Sequence, residues 1–358
     1  MATITKTPAG TWKAIIRKSG WPVTIKTFRI KRDAEDWARR TEDEMMRGAF
    51  VQRTPAERMT LETAMKRYLD EVTPTKSPST QDGEVKRAKT LIRYLGNYSL
   101  AALTPEVIAR FRDERLAGDI NKKGIRKPRK NDTVRLEIAL LGHFFTIAIK
   151  EWQIGLTYNP VRNIRSPAPA PGRTRRLSDD ESSRLLAAVE AHSNPMLRWI
   201  VYIALETSMR TGEIINLTEK DVDIEGRVIF LQKTKNHTVR TVPLSIIATK
   251  IFQEVLDNPL RRSVDSELLF FGNPGRDKIR RPYQFSAVWG RIKKRLGINN
   301  FRFHDLRHEA VSRLVELGLS DQEVSAISGH KSMQMLHRYT HLRNKHLINR
   351  LDTLQHKK

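Results

Sequence analysis

The run Ser166-Pro167-Ala168-Pro169-Ala170-Pro171-Gly172 sets the first limit on what this chain can fold into. Each proline locks its own φ and has no N–H to give a helix or a sheet. Each also pushes the residue before it out of the helical region, so Ser166, Ala168 and Ala170 are restricted as well. The run therefore reads as a linker, and the chain must build separate bodies on either side of it. A length of 358 residues allows two or three such bodies. We place the linker at 166–177, two blocks before it at 1–55 and 58–165, and a third block at 178–358.

In the first block, Trp12 to Arg17 alternates loosely, Ser19-Gly20 turns, and Val23 to Phe28 is β-branched and alternating. Ile30, Ala34, Trp37, Ala38 and Met45 then follow at roughly helical spacing. A small, three-stranded sheet packed on one helix is the reading. Such a block has little core of its own, which suits a modular accessory domain.

The second block reads as four or five helices. Leu61, Ala64, Tyr68 and Leu69 share a face, as do Val85, Ala88, Leu91, Ile92 and Leu95. Thr104 can cap a helix that starts at Pro105 and holds Val107, Ile108 and Phe111. A basic loop follows, with Lys122, Lys123, Arg126, Lys127, Arg129 and Lys130 around Gly124 and Pro128. A long helix from about Asp132 carries Val134, Ile138, Leu141, Phe145 and Ala148. The basic loop is either a solvated connection or a DNA contact. The charge of the whole chain favours the contact.

The third block opens on Ser178-Asp179-Asp180-Glu181, a capping box. Helices run to about Leu217, and strands are expected at Arg227–Leu231 and Val239–Leu244 with a polar turn between them. The pattern after that is helical to the end. The fold class is mainly α with small β-sheets, an α+β chain.

Charge and missing residue types narrow the function. Sixty-five Lys and Arg against forty Asp and Glu give a formal net charge of +25. A polyanion is the expected partner, and nucleic acid is the commonest one. No apolar run is long enough to span a bilayer, and the first residues lack the apolar stretch of a secretory signal. A cytoplasmic protein with no membrane partner is expected. With no cysteine, disulfides, thiol nucleophiles and Cys-ligated zinc are excluded.

Taken singly, the polar residues of the third block are weak signals. Arg210 lies at a helix junction, with Glu213 three residues on as a cap or as a group that orients it. Such pairs are most often structural. Lys235 lies in a turn between two strands, where a lysine is most often just solvated, and Lys233 is beside it. His304 and Arg307 are three apart on one helical face. His330 follows Gly329 at a loop-to-helix step, and Tyr339 lies nine residues later. His304 with His308, and His337 with His341, have zinc-like i, i+4 spacing. Position 312 is Ser, however, so His308-Glu309 opens no H-E-x-x-H motif, and an adjacent Arg repels a cation. We assign no metal and no cofactor.

As an ensemble the residues say more. In order they are Arg, Lys, His-x-x-Arg, His and Tyr, and every cationic donor precedes one tyrosine. Phosphoryl transfer from DNA needs this set. Two guanidiniums can fork onto the oxygens of a phosphate as it gains negative charge. A tyrosine hydroxyl is a usable nucleophile among cations, and a lysine can protonate the leaving oxygen.

With this set the chain resembles the tyrosine recombinases of the phage integrase family, over about 56–345. Arg210 matches the first arginine in Leu205-Glu206-Thr207-Ser208-Met209-Arg210-Thr211-Gly212-Glu213. Lys235 matches the hairpin lysine upstream of Arg240-Thr241-Val242-Pro243-Leu244. His304 and Arg307 match the H-x-x-R box in Phe303-His304-Asp305-Leu306-Arg307-His308. His330 matches the His-or-Trp position, and Tyr339 the nucleophile in Arg338-Tyr339-Thr340-His341. Ser328 stands where the family commonly has an apolar residue, a difference expected to act on packing. Asn131 to Glu137 and Ala326 to His330 resemble shufflon-type invertases and their integrase relatives, and the first block resembles an arm-type DNA-binding domain.

The resemblance implies a helical (SAM-like) core-binding domain and a mixed α/β catalytic domain that clamp duplex DNA. It implies a 3′-phosphotyrosyl intermediate and a homotetramer on DNA with core and arm sites, with accessory bending or directionality proteins as further partners. Arg210, Arg307 and His330 would hold the phosphate, Lys235 would be the general acid, and His304 would assist. Integration and excision of a mobile element is the expected use. The alternatives are shufflon-type inversion and a catalytically silent DNA-binding regulator. A topoisomerase of similar chemistry is disfavoured by the arm-like block, and a metal-dependent transposase by the lack of an acidic triad. A tail from His341 with Leu347, Ile348 and Leu351 would dock on a neighbour or on its own domain.

Overall fold

The computed structural model describes residues 2–21, 23–48, 50, 54–120, 126–231, 239–262, 264, 266–330, 332–337, 339, 348 and 352. The chain divides into two compact units, residues 1–171 and 172–358.

The first unit opens on an antiparallel sheet of β1 (Ala2–Lys6), β2 (Trp12–Ile16) and β3 (Thr24–Phe28), in that order. Ala2 pairs with Ile16, and Ile16 with Thr24. Alternation turns Ala14 and Ile16 inward. They face helix α1 (Lys31–Met46), which buries Ala34, Ala38, Thr41 and Met45, a stripe at spacings of four, three and four.

Five helices follow: α2 (Thr54–Arg58), α3 (Leu61–Glu71), α4 (Pro78–Leu95), α5 (Pro105–Ala117) and α6 (Asn131–Lys150). They share a core that includes Leu61, Met65, Tyr68, Leu91, Phe111, Phe144 and Phe145. The face expected for α4 holds at Ala88, Leu91, Ile92 and Leu95, but Val85 is 37% exposed and Glu84 is buried in its place. Thr73 and Lys76 give Glu84 its hydrogen bonds, at 2.8 and 2.7 Å. The basic loop is anchored by a short antiparallel pair, β4 (Asp119–Ile120) with β5 (Arg126–Lys127). Gly118 allows it, since a Cβ there would sit 2.2 Å from the Lys127 backbone. Arg115 of α5 forks onto Glu137 of α6 at 2.7 and 2.9 Å, and both side chains are under 5% exposed.

The second unit is built around α8 (Pro195–Thr207), between α7 (Asp179–Glu190) and the short α9 (Thr211–Ile215). α7 starts at the Ser178 capping box. Leu197, Trp199, Ile200, Val201, Ile203 and Ala204 are all buried, so α8 is apolar nearly all round and runs through the core. A small sheet pairs β6 (Val222–Asp223), β7 (Val228–Leu231) and β8 (Arg240–Pro243). Then come α10 (Ile246–Asp257), α11 (Pro259–Arg262), α12 (Ser286–Arg295), α13 (Asp305–Glu316) and α14 (Asp321–Ser328). The helical pattern expected throughout this part breaks between α11 and α12. Leu268 there bridges Thr218, and Phe271 bridges Pro282. Gly272, Pro274, Gly275 and Pro282 explain the break, because they favour turns over helix.

Removing one partner of the buried Arg115–Glu137 pair should be costly. Glu137→Ala is expected to lower stability by about 3–5 kcal/mol in urea unfolding of the full chain, because a guanidinium is left buried without its carboxylate. Replacing both residues with leucine should restore most of the loss.

Candidate active site

Ser208 ends α8 in the left-handed conformation, φ 52°. The turn places Arg210 at the N-terminus of α9, and Glu213 reaches back from the first turn of that helix. Its carboxylate accepts from the Arg210 backbone N–H at 3.0 Å and from Arg210 Nη1 at 2.8 Å. Glu213 is thus both a cap and an orienting group. Its other acceptor site is shared with Arg240, whose Nη2 donates at 2.8 Å. Burial pushes the Glu213 carboxyl up, but the Arg210 backbone and the two arginines outweigh it and hold it below the ordinary range.

Arg307 lies in the first turn of α13 and is 4% exposed. Its Nη1 donates to the Ser208 carbonyl at 2.5 Å, and its Nη2 lies 3.4 Å from His330 Nε2. Burial, with the like charge of Arg210 next, pulls this guanidinium down to about 10. His304 precedes the helix as its N-cap. Burial and then Arg307 keep it below the usual histidine range, against the opposing pull of Asp305.

His330 follows the C-terminus of α14, a helix-to-loop step and not the loop-to-helix step expected. Gly329 makes the turn at φ 70°, and its carbonyl accepts from Arg210 Nη2 at 3.2 Å. A Cβ on Gly329 would meet the Arg240 guanidinium at 2.8 Å. Ser328 does more than pack. It is fully buried, gives its hydroxyl proton to the Val324 carbonyl at 2.6 Å and accepts from His330 Nδ1 at 2.6 Å. This arrangement puts the histidine's proton on Nδ1 and turns the Nε2 lone pair to Arg307.

Tyr339 is buried in a small core with Val311, Val315, Val324 and Leu336. Its hydroxyl lies 2.5 Å from His308 Nδ1. The His304 ring stands edge-on to that of His308, with centroids 5.3 Å apart. Two arginines of the linker fix α13 from outside. Arg173 forks onto Asp305 at 2.6 and 2.9 Å, and Arg176 onto Glu309 at 2.9 and 3.0 Å.

The structure thus brings Arg210, Glu213, Arg307 and His330 into one cluster, with His304 at the N-cap of α13 and Tyr339 in the segment after α14, against His308 of that helix. Lys235 and its neighbour Lys233 lie outside the described residues, as do Lys122 and Lys123 and most of the tail from His341. Lys127, Arg129 and Lys130 are exposed in the first unit, and Arg126 contributes the backbone of β5. Sequence reasoning missed two members. Arg240 was read only as the flank of a strand; an arginine between a polar turn and an apolar strand was the signal. His308 was weighed only as a zinc ligand; its place four residues after His304 and next to Arg307 was the signal. Among the described residues no group of three or more His, Asp or Glu side chains is placed to hold a metal, and no helix is long and apolar enough to cross a membrane.

Guanidiniums gathered around a histidine, with a tyrosine hydroxyl nearby, are what phosphoryl transfer to a hydroxyl asks for. Residues 175–346 match the phage integrase family. The shufflon-specific DNA recombinase of Escherichia coli is 40% identical over 297 residues, 82% of this chain and 72% of that one. Among solved structures, the Tn1549 transposon integrase in complex with transposon right end DNA matches at a TM-score of 0.62 and 18% identity, covering 83% of this chain and all of that one. A lambda integrase tetramer bound to a Holliday junction matches at 0.58 and 21%, covering 92% and 95%. The fold is shared with both. The chain belongs to the phage integrase family, the tyrosine recombinases.

Acid should loosen the second unit. Glu213, Asp305 and Glu309 are each held below the ordinary carboxylate range, in each case with burial opposing the pull of arginines or backbone N–H groups. Their contribution to stability is complete above the unfolded value, about pH 4, and is lost as pH falls through the lower folded values. Thermal midpoints should therefore decline gently as pH falls through about 6.5, where His304 takes up a proton more readily in the unfolded chain, and more steeply below about pH 4. Glu309→Gln should start lower and fall less.

Proposed function

We propose that this protein cuts and rejoins duplex DNA at specific sites through a covalent bond between Tyr339 and a DNA phosphate. The observation that carries the reading is the pocket of Arg210, Arg307 and His330, in which the carboxylate Glu213 is already engaged by Arg210 and Arg240. The pocket's positive charge is left for an incoming phosphate.

In this reading the Tyr339 oxygen attacks phosphorus, the P–O5′ bond breaks, and a 3′-phosphotyrosyl ester and a free 5′-hydroxyl result. Arg210 and Arg307 donate to the non-bridging oxygens as their charge grows, and His330 completes the cradle as an imidazolium that donates from Nε2 while Nδ1 stays on Ser328. Lys235 protonates the leaving 5′-oxygen, and His304 assists proton transfer or phosphate binding. The ester keeps the bond energy, so attack by a 5′-hydroxyl rejoins DNA with no ATP, metal or cofactor in the scheme.

Residues 58–165 and 178–358 would grip the core site and 1–55 the arm sites, with 166–177 joining them. The net charge of +25 and the exposed Lys127, Arg129 and Lys130 support a DNA-facing role. Much of the affinity should fall steeply with salt. Four copies would act on two duplexes, aided by accessory bending or directionality proteins, in the cytoplasm where the chromosome lies. The sheet and helix of 2–46 favour integration and excision of a mobile element. The 40% identity to the shufflon-specific recombinase favours DNA inversion as the second reading.

The test uses nicked duplexes, with the core site selected by the protein from a randomised library, in EDTA. Wild type should form a denaturation-resistant, 3′-linked adduct that Tyr339→Phe lacks. Arg210→Ala and Arg307→Ala should each slow its formation by about 10²–10³-fold. Tight specific binding without an adduct would point instead to a DNA-binding regulator, and an adduct that persists in Tyr339→Phe would mean a different nucleophile.

A further inference from the structure

We propose that His308 takes the proton from Tyr339 as its hydroxyl attacks the phosphate, and returns it when the strand is rejoined. The proposal rests on the reading of Tyr339 as the nucleophile. A tyrosine hydroxyl has an ordinary pKa of about 10, so near neutrality it enters the reaction protonated. Guanidiniums lower the cost of the anion but hold no site for the proton, since they are donors only. An acceptor within hydrogen-bond reach is needed.

His308 Nδ1 meets that need, 2.5 Å from the Tyr339 oxygen. The position follows from the helix. Arg307 turns towards Ser208 and His330, and the next side chain on an α-helix points about 100° away. That direction leads to the core of Val311, Val315 and Leu336 against which the Tyr339 ring packs. The helix itself is held on either side of His308, by Arg173 on Asp305 and by Arg176 on Glu309. The acceptor is therefore on a rigid element, and the nucleophile comes to it from the segment after α14. Imidazole is also the side chain whose ordinary pKa lets it both take and return a proton near neutrality.

The step balances without another reactant. The O–H bond of Tyr339 breaks, its proton goes to His308 Nδ1, and the freed electron pair forms the O–P bond. The P–O5′ bond breaks, and the 5′-oxygen takes a proton from a separate acid, assigned above to Lys235. In rejoining, the 5′-hydroxyl attacks phosphorus and gives its proton to the now neutral Lys235 amine, the P–O bond to Tyr339 breaks, and the departing tyrosine oxygen recovers its proton from the His308 imidazolium.

The experiment compares full-length wild type, Tyr339→Phe, His308→Ala and His308→Asn on the selected nicked duplex and on the same duplex with sulfur in place of the bridging 5′-oxygen. A 5′-thiolate leaves without an acid, so that substrate relieves the loss of an acid and not of a base. Asparagine keeps a hydrogen bond to Tyr339 but takes no proton. Both His308 variants should bind the DNA as wild type does and melt at the same temperature. Both should form the adduct about 10²-fold more slowly or worse, on the oxygen and the sulfur substrate alike. Wild-type speed in His308→Asn would overturn the proposal and leave His308 a positioning residue. Faster cleavage in His308→Ala would overturn it too, because the bond would then be a restraint on the tyrosine. So would full recovery on the sulfur substrate, which would place His308 on the leaving-group side. Failure of the underlying reading looks different, since wild type itself would then form no adduct or Tyr339→Phe would form one.

Discussion

Arg307 is a buried cation that the described structure satisfies with a carbonyl and a histidine. The rest of the catalytic unit follows from that constraint. Burying an unpaired charge is expensive, and a carboxylate partner would lower the cost. It would also neutralise the charge. The Ser208 carbonyl serves as a dipole where an anion would otherwise sit, and it is aimed inward because Ser208 takes up a left-handed turn at the end of α8. Burial of the guanidinium and availability of its charge are thus compatible only because one helix ends in that way.

The same division of labour appears around the pocket. Glu213 is the carboxylate the site does contain, and it is spent on aligning Arg210 and Arg240. Asp305 and Glu309 are engaged by the linker arginines Arg173 and Arg176. The negative charge of α13 is thus bound by arginines from the preceding segment, and Arg307 is left without a carboxylate among its hydrogen-bond partners in the described structure. The apolar α8 gives these side chains a fixed wall, so small errors in their placement are not averaged out by motion of the core.

Much of this was legible in the sequence. The α+β class followed from periodicity, and the capping box at Ser178 and the cap at Thr104 are where the local pattern put them. Arg210, Glu213, Arg307 and His330 meet in space although they span 120 positions of sequence; the order of residue types, and no local periodicity, was the clue. What was not legible depends on partners distant in the chain. Glu84 replaces Val85 in the core of α4 because Thr73 and Lys76 are there to bond it. Ser328 looked like an apolar position with the wrong residue, and only the fold shows that its hydroxyl faces His330. His308 reads as one more histidine until Tyr339 is folded back onto it.

Gly329 shows how little slack such a pocket has. Its missing side chain is the space in which the Arg240 guanidinium lies, and its carbonyl is the one that Arg210 uses. A single methyl group at this position would therefore act as a wedge. It would unseat Arg240, take from Glu213 one of the two donors on its shared oxygen, and press on the carbonyl that Arg210 uses. At this point the machinery is assembled around a void, and the smallest residue sets the tolerance for the largest ones.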